Sequence, residues 1–160
     1  MQTTETAVSD YERERGKPMP SKAHSFVQLR LGGAFLKYEE DYTAFSELTL
    51  ELNGEEVTPD LAVYPKMNID LTRDEVRLTD PPLLAVEIAS PTQGSQVLLD
   101  KIEFLLDAGV KSCWLVQPAL RTITTFDHDM RSKTYSEGVV TDPATGIEMA
   151  IEDVFRDAES

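Results

Sequence analysis

Residues 83–89, Leu-Leu-Ala-Val-Glu-Ile-Ala, form an apolar run broken only by Glu87. A strand that is apolar on both sides belongs in the middle of a sheet covered on both faces. Ser90-Pro91 ends the run, and residues 95–108 then carry helical spacing, with Gly109 just past the end as a stop signal. Residues 113–117, Cys-Trp-Leu-Val-Gln, are a second buried-strand candidate. Strand, helix and strand in that order predict a right-handed crossover within a mixed sheet. The class that follows is α/β, or α+β by a stricter label.

The remaining elements arrange themselves around that unit. At 160 residues the chain is expected to be one domain over 1–160, with 1–10 a loose polar tail. Pro18-Met-Pro-Ser21 breaks structure and offers Ser21 as an N-cap for a helix from Lys22 to about Glu40. That helix should bury Phe26, Val27, Leu31, Ala34, Phe35 and Tyr38, while Gly32-Gly33 weakens it or admits a close neighbour. Residues 45–52 alternate, with Leu48, Leu50 and Leu52 on one face. Asn53-Gly54 then predicts a hairpin, with 57–64 as the returning strand. A polar connection follows over 66–82. Strands are expected over 121–126 and, more weakly, over 133–135 and 138–140, with one helical turn at 151–155.

Composition narrows the function classes. A net charge of −14 opposes broad, non-specific binding to nucleic acid. The charge is uneven: Arg13, Arg15, Lys17, Lys22, Arg30 and Lys37 precede residue 38, whereas 38–65 holds eight acids and no Lys or Arg. Any contact with a polyanion is therefore expected from the N-terminal segment. No run of about 18 apolar residues suggests a membrane span. The first residues lack the basic start and apolar core of a signal peptide. Cys113 is the only cysteine, and with those features it points to a reducing, cytoplasmic setting. It reads as an ordinary buried thiol, Trp114 beside it as core, and His128 as a turn residue.

The chemistry gathers at three charges. On a helical wheel Val97, Leu98, Phe104, Leu105 and Ala108 surround Lys101, while Asp100, Glu103 and Asp107 lie towards the other side. A lysine in an apolar stripe needs an anion. Asp60, in Thr-Pro-Asp-Leu-Ala-Val-Tyr, and Glu87 are each the single charge in an apolar strand-like run. If their strands are neighbours, the carboxylates can converge on a hard divalent cation. Lys101 could then orient or deprotonate a water, or stabilise charge developing on a phosphodiester. The same residues also fit a structural Lys101–Glu87 pair with Asp60 as a strand-end turn residue. A two-carboxylate glycosidase is a weaker reading, because no aromatic sugar platform stands out.

The order of motifs adds a resemblance. Thr58-Pro-Asp60-Leu-Ala-Val, Pro82-Leu-Leu-Ala-Val-Glu87-Ile-Ala-Ser90-Pro91, then Asp100-Lys101 in a helix leading to Ala108-Gly109 and Trp114-Leu-Val, is similar to the Uma-two family. That family belongs to the restriction-endonuclease-like PD-(D/E)XK nucleases. The ends, Tyr11-Glu12 with His24 and Gly146-Ile-Glu-Met with Phe155, also resemble it. The resemblance implies a mixed β-sheet flanked by helices and a metal-dependent endonuclease cutting DNA phosphodiesters. Asp60 and Glu87 would bind Mg²⁺ or Mn²⁺, with the backbone carbonyl of Ile88 a further ligand and Lys101 the catalytic lysine. The superfamily lysine normally follows the glutamate by two residues, where this chain has Ala89; here it has moved to the helix. Glu12 matches an early glutamate able to reach the metal, and His24 a histidine suited to holding a metal-binding carboxylate or contacting a phosphate. A homodimer would suit cutting both strands. The alternative is a catalytically silent interaction or regulatory module that keeps the fold.

Overall fold

The computed structural model describes residues 21–157. Helix α1 (Lys22–Leu36) leads into strands β1 (Tyr42–Ser46), β2 (Thr49–Leu52), β3 (Glu55–Val57), β4 (Leu61–Pro65), β5 (Arg77–Leu78) and β6 (Leu84–Ile88). Then come α2 (Ser95–Asp107), β7 (Ser112–Gln117), β8 (Thr122–Asp127), β9 (Ser132–Tyr135), β10 (Val139–Thr141), β11 (Glu148–Ala150) and α3 (Ile151–Phe155).

Six strands form the main sheet in the order β1-β4-β6-β7-β8-β9. Only β6 and β7 are parallel, with Leu84 opposite Ser112 and Ile88 opposite Val116, and α2 connects them. Every residue of β6 is buried, as expected of a central strand covered on both faces. Leu84, Val86 and Ile88 pack with Trp114, α1, α3 and the β10–β11 hairpin. The opposite face of the sheet, including Ala85 and Cys113, packs with α2 and with β2 of a small sheet ordered β3-β2-β5.

Local chemistry explains the element ends. Ser21 caps α1, its hydroxyl accepting from the backbone N–H of His24 at 3.1 Å. At the end of α2, Gly109 has φ +108° and donates to the Leu106 carbonyl, while Val110 donates to Leu105. This paired closure needs the left-handed region that glycine enters without strain. Asn53 and Gly54, at φ +51° and +77°, form a two-residue turn matching the twist of β2 and β3.

Four expectations change. Helix α1 stops at Leu36 and continues as turns, and Phe26 is 37% exposed rather than buried. The alternating segment 45–52 is not one strand: Glu47, at φ +50°, bends the chain so that β1 stays in the main sheet and β2 enters the small one. The returning strand likewise splits around Thr58-Pro59-Asp60 into β3 and β4. Helix α2 buries Leu98, Ile102, Leu105 and Leu106, a face rotated by about a quarter turn from the expected one. Val97 is 61% exposed, and Lys101 flanks the core instead of sitting at its centre.

Candidate active site at the end of β4 and β6

Strands β4 and β6 are antiparallel neighbours, with Leu61 opposite Val86. The expectation for the two acids depended on that adjacency. Asp60 sits at the bend just before β4, and Glu87 lies in β6; both are 1% exposed. The Asp60 backbone N–H donates to the Val86 carbonyl at 3.1 Å, locking the bend to the sheet. Its side chain accepts from the Ile88 backbone N–H at 2.7 Å. In a strand the N–H and C=O of one residue point the same way, so the Ile88 carbonyl faces the Asp60 side, where the β4 ladder has ended.

Two cationic or potentially cationic groups meet these carboxylates from opposite faces of the sheet. Lys101, from α2, places Nζ 2.9 Å from Glu87 Oε1 and donates to the Thr58 carbonyl at 3.3 Å. Its side chain is 20% exposed. The ammonium therefore keeps part of its hydration, and burial costs it less than the wheel implied. His24, in the first turn of α1, is itself buried, with Nε2 3.1 Å from Asp60 Oδ1. The imidazole is therefore enclosed beside an acid and is not the plain surface histidine of a first turn.

The backbone of Asp60 has a brace that the sequence reading missed. Its carbonyl accepts from the Glu47 N–H at 3.0 Å and from Gln28 Nε2 at 3.4 Å, while Gln28 also donates to Glu47 Oε2 at 3.2 Å. Gln28 stands four residues after His24 on the same face of α1, and that spacing was a usable signal. Nothing local marked Glu47.

The donor set suits a hard cation. Mg²⁺ is commonly held by one or two carboxylates, the rest of its shell being water and substrate phosphate. Asp60, Glu87 and the Ile88 carbonyl are oxygen donors of that kind. Among the described residues no three His, Cys, Asp or Glu side chains form a metal-binding group. Glu12, the expected fourth contributor, lies outside the described residues, as do Arg13, Arg15 and Lys17.

The rest of the expected basic segment is largely engaged elsewhere. Arg30 pairs with Asp157 at 3.0 Å and lies 4.6 Å from the centre of the Phe26 ring, and Lys37 is 4.0 Å from Asp153. Lys22 is exposed. Cys113 is fully buried, and desolvation followed by the charges of Glu87 and Asp142 pushes its thiol well above the ordinary range. It is not a nucleophile in this fold. Trp114 is core, and His128 is exposed in a turn, both as expected.

The fold of the chain is shared with a solved structure. A crystal structure from Anabaena variabilis ATCC 29413, titled as a "putative nuclease belonging to DUF820", superposes with a TM-score of 0.74. The match covers 86% of this chain and 83% of that one at 22% identity. Over residues 9–156 the sequence matches the Uma2 family, described as "Putative restriction endonuclease", and the chain belongs to that family. No curated protein matches it. No helix among the described residues is long and apolar enough to cross a membrane.

Proposed function

We propose that the protein is a divalent-metal-dependent endonuclease that hydrolyses DNA phosphodiester bonds. One observation carries the reading: neighbouring strands and the crossover helix bring Asp60, Glu87 and Lys101 to one end of the sheet, with Lys101 Nζ 2.9 Å from Glu87. Asp60, Glu87 and the Ile88 carbonyl would hold Mg²⁺ or Mn²⁺, which when bound polarises the phosphodiester and acidifies a water. The Ile88 N–H fixes one Asp60 oxygen, and His24 steadies the other. Lys101 is the residue placed to orient or deprotonate the attacking water, or to meet the charge developing on phosphorus. Its hold on the Thr58 carbonyl fixes the ammonium beside Glu87.

A second reading, a catalytically silent module, draws support from the Lys101–Glu87 pair, which sets opposite charges together without a metal. Two measurements separate the readings. The nuclease reading expects millimolar Mn²⁺ or Mg²⁺ to raise the melting temperature of the wild type, and Asp60→Ala to abolish the rise. It also expects metal-dependent nicking of supercoiled or single-stranded DNA, lost in Lys101→Ala while the metal-induced stabilisation persists. A wild type that shows neither stabilisation nor nicking would leave the silent module standing.

A further inference from the structure

We propose that Gln28 is a positioning residue: by holding Glu47 in a left-handed backbone conformation it fixes the bend that aims the Asp60 carboxylate, and so sets how tightly the site takes a divalent ion. Its effect on the metal rests on the nuclease reading; the hold on Asp60 does not. Every polar atom of Asp60 has a partner. Its N–H donates to the Val86 carbonyl at 3.1 Å and its carbonyl accepts from the Glu47 N–H at 3.0 Å, so both sides of the bend are tied. With the backbone fixed, the side chain meets the Ile88 N–H at 2.7 Å and His24 Nε2 at 3.1 Å. A small turn of the bend would swing both oxygens off those groups, because aspartate carries its carboxylate on a short side chain.

Glu47 is the strained member of that frame. At φ +50° it occupies the left-handed region, which a residue with a Cβ keeps only where its surroundings hold it. Relaxation of Glu47 to an extended conformation would carry its N–H away from the Asp60 carbonyl. Gln28 opposes that relaxation. Its Nε2 donates to Glu47 Oε2 at 3.2 Å and to the Asp60 carbonyl at 3.4 Å. The Glu47 side chain is thereby tied to the same carbonyl that its backbone holds.

Helix α1 is built to deliver that hold. Gln28 follows His24 by one helical turn, so a single face presents one group to the Asp60 carboxylate and another to its main chain. The Ser21 cap fixes where the helix begins and with it the register of both residues. Packing alone would not call for an amide here. Gln28 and Glu47 are both half-buried, and ordering two long polar side chains costs conformational entropy that leucine in place of Gln28 would largely spare. Removing the hydrogen-bond partners that orient a ligating group typically weakens metal binding by roughly 10- to 100-fold.

The test combines amide hydrogen exchange, read by NMR on the full chain, with calorimetric titration of Mn²⁺. In Gln28→Leu the Ile88 amide should lose about tenfold in protection. The Ala89 amide, bonded to the Val116 carbonyl at 2.8 Å, should follow global stability alone. The Mn²⁺ dissociation constant should rise about tenfold. Glycine enters the left-handed region without strain, so adding Glu47→Gly to Gln28→Leu should restore most of the Ile88 protection. Circular dichroism melts establish that each variant is folded, and Gln28→Ala takes the place of Gln28→Leu if the latter is not. An Ile88 amide as protected as in the wild type, or a Mn²⁺ affinity that the variant retains in full, overturns the proposal. So does a loss at Ile88 that Glu47→Gly leaves unrelieved. A wild type that takes no Mn²⁺ overturns the nuclease reading, and the hold on Asp60 is then decided by Ile88 alone.

Discussion

Asp142 is buried at 1% exposure, and the groups the fold directs at it are donors with no formal charge. One oxygen accepts from Ser112 Oγ at 2.7 Å and Trp114 Nε1 at 2.8 Å. The other accepts from the backbone N–H groups of Ala144 and Thr145 and from the Thr145 hydroxyl. Five donors offset the loss of hydration without an opposite charge. Asp142→Ala should cost at least about 3 kcal/mol, since each buried donor left without an acceptor costs ~1–3 kcal/mol. A lowered urea midpoint at unchanged slope would show it; a change within about 0.5 kcal/mol would contradict this account. The sequence did not reveal this residue. Asp-Pro-Ala-Thr-Gly reads locally as a turn, which accounts for the Ala144 and Thr145 donors, but Ser112 and Trp114 lie 30 and 28 residues away. Lys101 was more legible, because a charge on an apolar helix face carries its own periodic signal, whereas His24 entered only through the family resemblance.

At the scale of elements, the crossover unit and the hairpin turn followed directly from pattern and turn chemistry. Where prediction and structure part, the physical reason is that period-two alternation does not register which sheet a strand joins. The alternation read over residues 45–52 runs straight through the bend at Glu47, so one pattern spans two strands. The rotated face of α2 has a similar cause: the wheel weights Val97 like Leu98, although only Leu98 reaches the sheet. The end of α2 offers a sharp check. A Cβ at Gly109 would be forced to φ +108° and would lie 3.1 Å from Pro81 Cγ. Gly109→Ala should therefore destabilise by about 1–3 kcal/mol, read as a lower melting temperature with the far-ultraviolet spectrum retained.

For the molecule as a whole, the site depends on packing on both faces of the main sheet. Asp60 and Glu87 stand where α1 approaches with His24 and α2 with Lys101. Their convergence was legible only as a condition, that two strands be neighbours, because sheet order is not written in local periodicity. The basic N-terminal stretch was legible as composition, yet Arg30 and Lys37 are drawn to Asp157 and Asp153 from the far end of the chain. Cys113, at the centre of the sheet, offers a reporter of global opening. Its labelling by a thiol reagent should be on the order of 10³-fold slower in the native protein than in the denatured one. Fast native labelling would mean that β7 opens locally. Asp142 has one last consequence, for the order in which the chain is made. Trp114 shares its core with Val140, Ile147, Met149, Ile151, Val154 and Phe155 as well as with α1, so one face of the sheet that carries both acids stays only partly covered until those residues leave the ribosome. A nascent chain paused before Asp142 would hold every part of the candidate catalytic trio and still be unable to close around it.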